Sequence, residues 1–334
     1  MRICLIGDFT QNPDEGMKNL SFYLRSELSR KNQVLSLGPR SIFSRNFWRD
    51  MSEFEPEIIH YIHGPSIRSL AMLKLLGRYF KQAKTVASAI HPNFSRWSRR
   101  LIPLLRPDLV LVQSQKAENF FKCFGCRTKF FPNGVDLQKY FPISPSEKMT
   151  LRKKYGLPEH SFIILHVGHI KKNRNLEILS KLKKQSDVLV LIVGSPAFPV
   201  EASIYGFLKK SGCIIWRKYF NNLEEIYNFS DCYIFPTTDL AGDLSSAGSI
   251  EMPLSVLEAM ACNLPVVSTK FRALPRLFTE GNGFFYFENL DELLEKIRII
   301  RNGFLTKTRE MVAPYSWDRI INQLEKIYRE ILEA

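Results

Sequence analysis

Ser249-Ile-Glu-Met-Pro-Leu-Ser-Val-Leu-Glu-Ala-Met-Ala-Cys-Asn-Leu-Pro-Val-Val-Ser-Thr269 is the stretch on which the reading of this chain turns. A loop carrying Glu251 enters a helix near Leu254, Glu258 sits within that helix, and Asn263-Leu-Pro265 ends it before an apolar strand. A helix that starts between Met252 and Ser255 offers free backbone N–H groups and the positive end of its dipole, which suit a diphosphate. A glutamate one turn further on is placed to accept hydrogen bonds from a ribose diol. Loop, helix and buried strand in this order are one step of an α/β fold.

The same step recurs outward in both directions. In the first half, apolar runs of strand length at Ile3–Ile6, Val34–Leu37, Ile58–Ile62, Thr85–Ile90 and Leu109–Gln113 lie about 25 residues apart, with amphipathic stretches such as Lys18–Arg30 between them. Several are apolar throughout, as parallel strands covered on both faces are. Tyr140–Lys148, rich in Pro and Ser, reads as a linker. The pattern then restarts at Phe162–Gly168, Val188–Gly194, Cys213–Trp216, Cys232–Pro236 and Pro265–Ser268, and closes with Tyr315-Ser-Trp-Asp-Arg319 and an amphipathic helix to about Leu332. The expected organisation is two doubly wound, Rossmann-like parallel-sheet domains, residues 1–145 and 146–314, with 315–334 as a helix packing back toward the first. Ligands of such sheets bind at the carboxyl ends of strands, so an interdomain cleft is the expected site.

Charge divides the chain in a different way. Of 334 residues, 47 are Lys or Arg and 33 are Asp or Glu, a net +14. Residues 1–145 hold 22 basic and 11 acidic side chains, or +11, and the remainder holds 25 and 22, or +3. From Ile58 to Pro107 there is no acidic residue, while Arg68, Lys74, Arg78, Lys81, Lys84, Arg96, Arg99, Arg100 and Arg106 fall in that stretch. Such an excess points to an anionic partner. The basic residues are not interleaved with a nucleic-acid-binding motif, so no nucleic acid is expected. Phe94–Arg106 mixes Trp, Arg and aliphatic residues as an interfacial segment does. It reads as a contact with an anionic membrane or with an anionic polysaccharide, or as a solvated basic surface whose apolar residues face the core. No run approaches the length of a membrane span. The apolar opening Met1–Gly7 is too short for a signal peptide, which gives a cytoplasmic expectation with thiols left reduced. Cys123 and Cys126 form a CxxC pair with no second pair to complete a zinc site.

The Ser249–Thr269 stretch resembles the donor-binding motif of retaining glycosyltransferases of family 4, the glycosyl transferases group 1, whose pattern is Glu, seven residues, Glu, then Ala-Met-Ala-x-Gly-x-Pro-Val-Val. Further segments match in the expected order: Pro132-Asn-Gly-Val-Asp136, the phosphate loop Val167-Gly-His-Ile-Lys-Lys-Asn-Arg-Asn175, the late strand through Asp231 and Phe235-Pro236, and Tyr315-Ser-Trp-Asp-Arg319. The resemblance spans nearly the whole chain. It implies a GT-B fold and transfer of a sugar from a nucleotide diphosphate donor to a saccharide or lipid-linked acceptor, in polysaccharide, lipopolysaccharide or glycolipid synthesis, with no metal or other cofactor. It implies donor binding by Gly16, His169, Lys171, Arg174, Leu254, Ser255 and Glu258, and a catalytic role for His91, which follows the strand ending at Ile90. Two positions depart from the family. Its first Glu falls on Ile250, so Glu251, one residue late, either takes that place or leaves the role absent. Its phosphate-loop Arg and Lys become His169 and Arg174, with Lys171 or Lys172 to compensate. A degenerate non-catalytic relative and a sugar-nucleotide epimerase-like enzyme are the alternatives to a transferase.

Overall fold

The computed structural model describes residues 1–9, 16–184, 187–196, 199–239 and 250–334. They form two units. The first comprises Met1–Gly134, residues 250–252 and Trp317–Ala334; the second comprises residues 135–239 and Pro253–Ser316. The chain therefore passes from one to the other at 134/135, between 239 and 250, at 252/253 and at 316/317.

Each unit is built on a six-stranded sheet whose neighbouring strands are parallel. In the first, β1 (Arg2–Ile6), β2 (Gln33–Leu37), β3 (Ile58–Tyr61), β4 (Lys84–Ala89), β5 (Leu109–Val112) and β6 (Thr128–Phe130) lie in the order β2-β1-β3-β4-β5-β6. In the second, β7 (Phe162–Val167), β8 (Val188–Val193), β9 (Ile214–Trp216), β10 (Cys232–Phe235), β11 (Val266–Ser268) and β12 (Phe284–Tyr286) lie in the order β12-β11-β10-β7-β8-β9. The continuous apolar runs explain the parallel arrangement. Every residue of β5 and β8 is buried, because helices cover both faces of the sheet. Strand order reverses direction between β1 and β3 in the first sheet and between β7 and β10 in the second. These are the switch points where loops diverge and a ligand fits between them.

The ten strand runs read from the sequence are strands; β6 and β12, three residues each at sheet edges, are additional. The Pro- and Ser-rich segment read as a linker is partly helical. Ser144 and Glu147 make a reciprocal capping box, with the Ser144 N–H donating to Glu147 Oε2 at 2.8 Å, and the helix Pro145–Lys154 follows with proline in its first turn.

Two of the quoted motifs meet. Val135 N donates to the Tyr315 carbonyl at 2.9 Å. Gly134 lies against the Trp317 indole so closely that a Cβ there would stand 2.4 Å from the ring, so the position admits only glycine. Trp317 opens the helix Trp317–Leu332, which buries Ile320, Ile321, Leu324, Ile327, Tyr328 and Ile331 and is thereby part of the first unit's core. Its Tyr328 hydroxyl lies 2.6 Å from His60 Nδ1, while His60 Nε2 lies 2.7 Å from Ser88 Oγ. Burial pushes the His60 pKa down to about 3, so the ring is neutral and serves as a joint between β3, β4 and this helix.

Candidate functional site

In the second unit the switch point lies between the loop after β7 and the segment after β10. The β7 loop runs through Gly168, His169, Ile170 and Lys171 into a 3₁₀ turn at Lys172–Arg174, and Asn175 reverses it with φ +54°. The Asn175 amide fastens the turn to the Pro236 carbonyl at 3.2 Å. Arg174 is buried, and burial with the field of Arg272 pushes its pKa down to about 10; it keeps its charge near neutral pH. Burial, then the charges of Arg174 and Lys171, push His169 down to about 4, so His169 is neutral there. Lys171 is half-buried at the entry of the turn.

The helix Leu254–Ala261 begins at Pro253, whose side chain gives its first N–H groups no cap. Ser255 in its first turn accepts the Tyr233 hydroxyl at 2.7 Å, and the same hydroxyl is 3.3 Å from the Val167 carbonyl at the end of β7. The helix N-terminus, Leu254 and Ser255 are thus tied to the strand end from which the Gly168–Arg174 loop springs. Glu258, one turn on, is half-buried. Its Oε2 accepts the Tyr227 hydroxyl at 2.7 Å, and Tyr140 is a second hydrogen-bond partner. Burial raises the carboxyl pKa; the two tyrosine hydroxyls and Lys139 oppose that rise. The other end of the helix is held by Arg309, whose guanidinium donates to the carbonyls of Ala261 at 2.5 Å, Tyr140 at 2.7 Å and Leu137 at 3.0 Å. A cation on the last carbonyls complements the helix dipole and positions Tyr140 at the same time.

The remaining expected residues belong to the first unit. Gly16 starts the helix Gly16–Leu28 beyond β1; residues 10–15 before it lie outside the described residues. His91 is half-buried just past β4, its N–H bonded to the Gly64 carbonyl at 2.8 Å. Glu251 is fully buried. Its N–H donates to the Ile90 carbonyl at 2.8 Å, and its carboxylate accepts the hydroxyl of Ser114, the N-cap of the helix Gln115–Cys123. Next to it, Asn133 donates to the Met252 carbonyl at 3.0 Å and accepts from Gln113 at 2.6 Å. Residues 250–252 are therefore built into the carboxyl ends of β4 and β5, with Glu251 one bond away from the residue preceding His91.

Sequence reading did not single out Tyr140, Tyr227, Tyr233, Arg272 or Arg309. The tyrosines look like core aromatics by position, and only their hydroxyl partners reveal the site.

Phe94–Arg106 separates into two faces. Phe94 and Ile102 are buried, whereas Trp97 is 77% exposed and Leu104 69% exposed, with Leu101 also exposed. The Arg100 guanidinium lies 4.8 Å from the centre of the Trp97 ring. Leu75 and Tyr79 are exposed one turn apart on the helix Ile67–Tyr79, which packs beside the 3₁₀ segment Ser98–Leu104. Both segments thus carry exposed apolar side chains, with Arg100 lying on Trp97. Among the described residues, no helix is long and apolar enough to cross a membrane.

A family model for glycosyl transferases group 1 matches residues 147–316, just over half of the chain. The N-acetyl-alpha-D-glucosaminyl L-malate synthase of Bacillus anthracis is 23% identical over 214 residues, which cover 60% of this chain and 53% of that protein; the chain thus spans about half the length of that relative. A crystal structure of a glycosyltransferase from Rickettsia africae superposes with a TM-score of 0.76 at 16% identity, covering 99% of this chain and 98% of that one. The Anabaena protein HepE in complex with UDP and glucose superposes with a TM-score of 0.74 at 15% identity, covering 98% and 99%. At these identities the superpositions establish the fold.

Proposed function

Because the chain belongs to the glycosyl transferases group 1 family and has its GT-B fold, we propose that it transfers a sugar from a nucleoside-diphosphate sugar to an acceptor hydroxyl with retention of anomeric configuration. One observation carries the reading. The uncapped N-terminus of the Leu254–Ala261 helix is bonded through Ser255 and Tyr233 to the end of β7, where Arg174 is buried. Helix N–H groups and a guanidinium at one switch point make a seat for a diphosphate. Glu258, steadied by Tyr227 and Tyr140, then accepts the ribose hydroxyls. The crystal structure of HepE with UDP supports the same class of donor.

Breaking the bond to the anomeric carbon leaves negative charge on the departing diphosphate. Arg174 and the helix N-terminus stabilise that charge, and the bound geometry brings the acceptor oxygen into line. The leaving phosphate then takes the acceptor proton. In this reading Lys171 and the neutral His169 lie beside the phosphates, and His91 and Gly16 keep the catalytic and donor-binding roles that the family resemblance assigns them. Glu251 acts at one remove: fully buried on Ser114, it holds residues 250–252 and the Ile90 carbonyl, and so sets the position of His91.

The acceptor side is read from the exposed ridge of Trp97, Leu101 and Leu104 among arginines, which suits a peripheral contact with an anionic membrane that presents a lipid-linked acceptor. The donor reading is tested by a thermal-shift screen of nucleotide sugars. A ligand present at 100 times its Kd stabilises by about 2.7 kcal/mol, and a clear stabiliser names sugar and base. A flat screen across the common nucleotide sugars removes the reading.

A further inference from the structure

The switch point of the second sheet carries a second buried guanidinium, from a residue that no motif marked. Arg272 stands in the turn after β11 with φ +39°, in the left-handed region that side chains avoid. Its side chain has no exposed surface, its Nε lies 3.6 Å from Asp239 Oδ1, and its guanidinium lies 5.2 Å from the centre of the Phe271 ring. Arg174 reaches the same segment from the other side, because its neighbour Asn175 donates to the Pro236 carbonyl at 3.2 Å, so residues 236–239 lie between the two arginines. Thr237, two residues before Asp239, is fully buried, and its Oγ1 makes no hydrogen bond among the described residues. The Thr237 carbonyl accepts the Thr269 hydroxyl, which joins the ends of β10 and β11 at this point.

A buried guanidinium on either side of residues 236–239 favours an anion bound between them. Strained backbone is retained where the side chain it carries has a task. Thr237 adds a buried hydroxyl able to donate. We infer that Arg272 is a diphosphate-binding residue which, with Arg174, forms a two-guanidinium seat, held in place by Asp239. This rests on the proposed nucleoside-diphosphate donor. It also accounts for the departure in the phosphate loop. A second guanidinium, missing where His169 stands neutral, comes from the opposite side of the switch point and adds to the charge of Lys171. Each guanidinium can take phosphate oxygens in pairs, as a lysine cannot.

The test is calorimetric titration of the whole chain with inorganic pyrophosphate, comparing wild type, Arg272→Gly and Arg272→Lys. Glycine suits φ +39°, so the backbone of Arg272→Gly is relieved, and the unliganded melting curve checks its fold. Arg272→Gly is expected to lose at least tenfold in pyrophosphate affinity, with Arg272→Lys in between. Binding by Arg272→Gly within twofold of wild type overturns the inference, as does a wild type that binds no pyrophosphate. Should a nucleotide sugar still stabilise the wild type, the donor reading stands and only the role of Arg272 falls. Should none do so, both fall.

Discussion

Glu258→Gln separates function from support in the proposed donor site. The carboxylate is half-buried, burial raises its pKa, and two tyrosine hydroxyls hold it. In the unliganded protein the ionised form is therefore a burden that the carboxamide does not carry, while the amide oxygen still accepts from Tyr227. The unliganded melting temperature should hold or rise. Toward a ribose diol the exchange acts the other way. A hydrogen bond to a charged group contributes about 1.5–3 kcal/mol, and the amide offers one acceptor oxygen where the carboxylate offers two. Losing one such bond weakens nucleoside-diphosphate binding by about 2 kcal/mol, roughly thirtyfold in Kd. Calorimetric titration with the nucleotide that stabilises the wild type measures the affinity, and a melt without ligand measures the fold. The reasoning fails if Glu258→Gln binds within threefold of wild type. It fails equally if the melting temperature falls steeply, because Glu258 would then be a structural anchor for Tyr227 and Tyr140.

Two further outcomes follow from groups already placed and from His166, buried in β7 with its Nδ1 2.9 Å from the Ile234 carbonyl. His60, His166 and His169 have pKa values pushed down to about 3, about 4 and about 4, each chiefly by burial, so the folded state leaves them neutral where the unfolded chain protonates them near pH 6.5. Stability is then lost as pH falls below about 6.5, at up to about 1.4 kcal/mol per pH unit for each ring; urea midpoints at pH 7.5 and 5.5 measure this, and a flat or rising trend refutes it. In the second, the protein should float with anionic liposomes at low salt and detach as salt rises, and replacing Trp97, Leu101 and Leu104 together by serine should abolish flotation; wild type that stays unbound at low salt removes the membrane contact.

The Leu254–Ala261 helix was legible because the loop, helix and apolar strand around it follow one another as an α/β step. Glu258, Ser255 and Arg174 are singled out through the resemblance of their segments to a family pattern, and the structure sets Ser255 and Glu258 on that helix and buries Arg174 in the loop after β7. The long central strands were legible for the same reason, since a run such as Val188–Val193 has few alternatives to a buried parallel strand. Three kinds of feature escaped. Thr128–Phe130 and Phe284–Tyr286 are too short to show a period, and their pairing partners define them as strands. Ser144 and Glu147 carry a capping box that composition hid behind prolines. Arg272 reads as an ordinary basic residue until its positive φ and buried side chain are seen; both arise from the turn between β11 and the following helix, which no local pattern specifies. The exposed face of Phe94–Arg106 was legible in composition but not in orientation, because only packing shows that Ile102 points inward and Trp97 does not.

The Trp317–Leu332 helix has a consequence for how the chain is made. A ribosome releases the first sheet, through β6, long before it releases this helix. The 182 residues from 135 to 316 intervene, which takes roughly 10–40 s at about 5–20 residues per second. During that interval His60 has no Tyr328 to meet, and the surface that Ile320, Leu324 and Ile327 later cover stays open to water and to chaperones. The first-made unit is thus the last to be finished. A stalled or truncated nascent chain would present that bare apolar surface as its mark for triage.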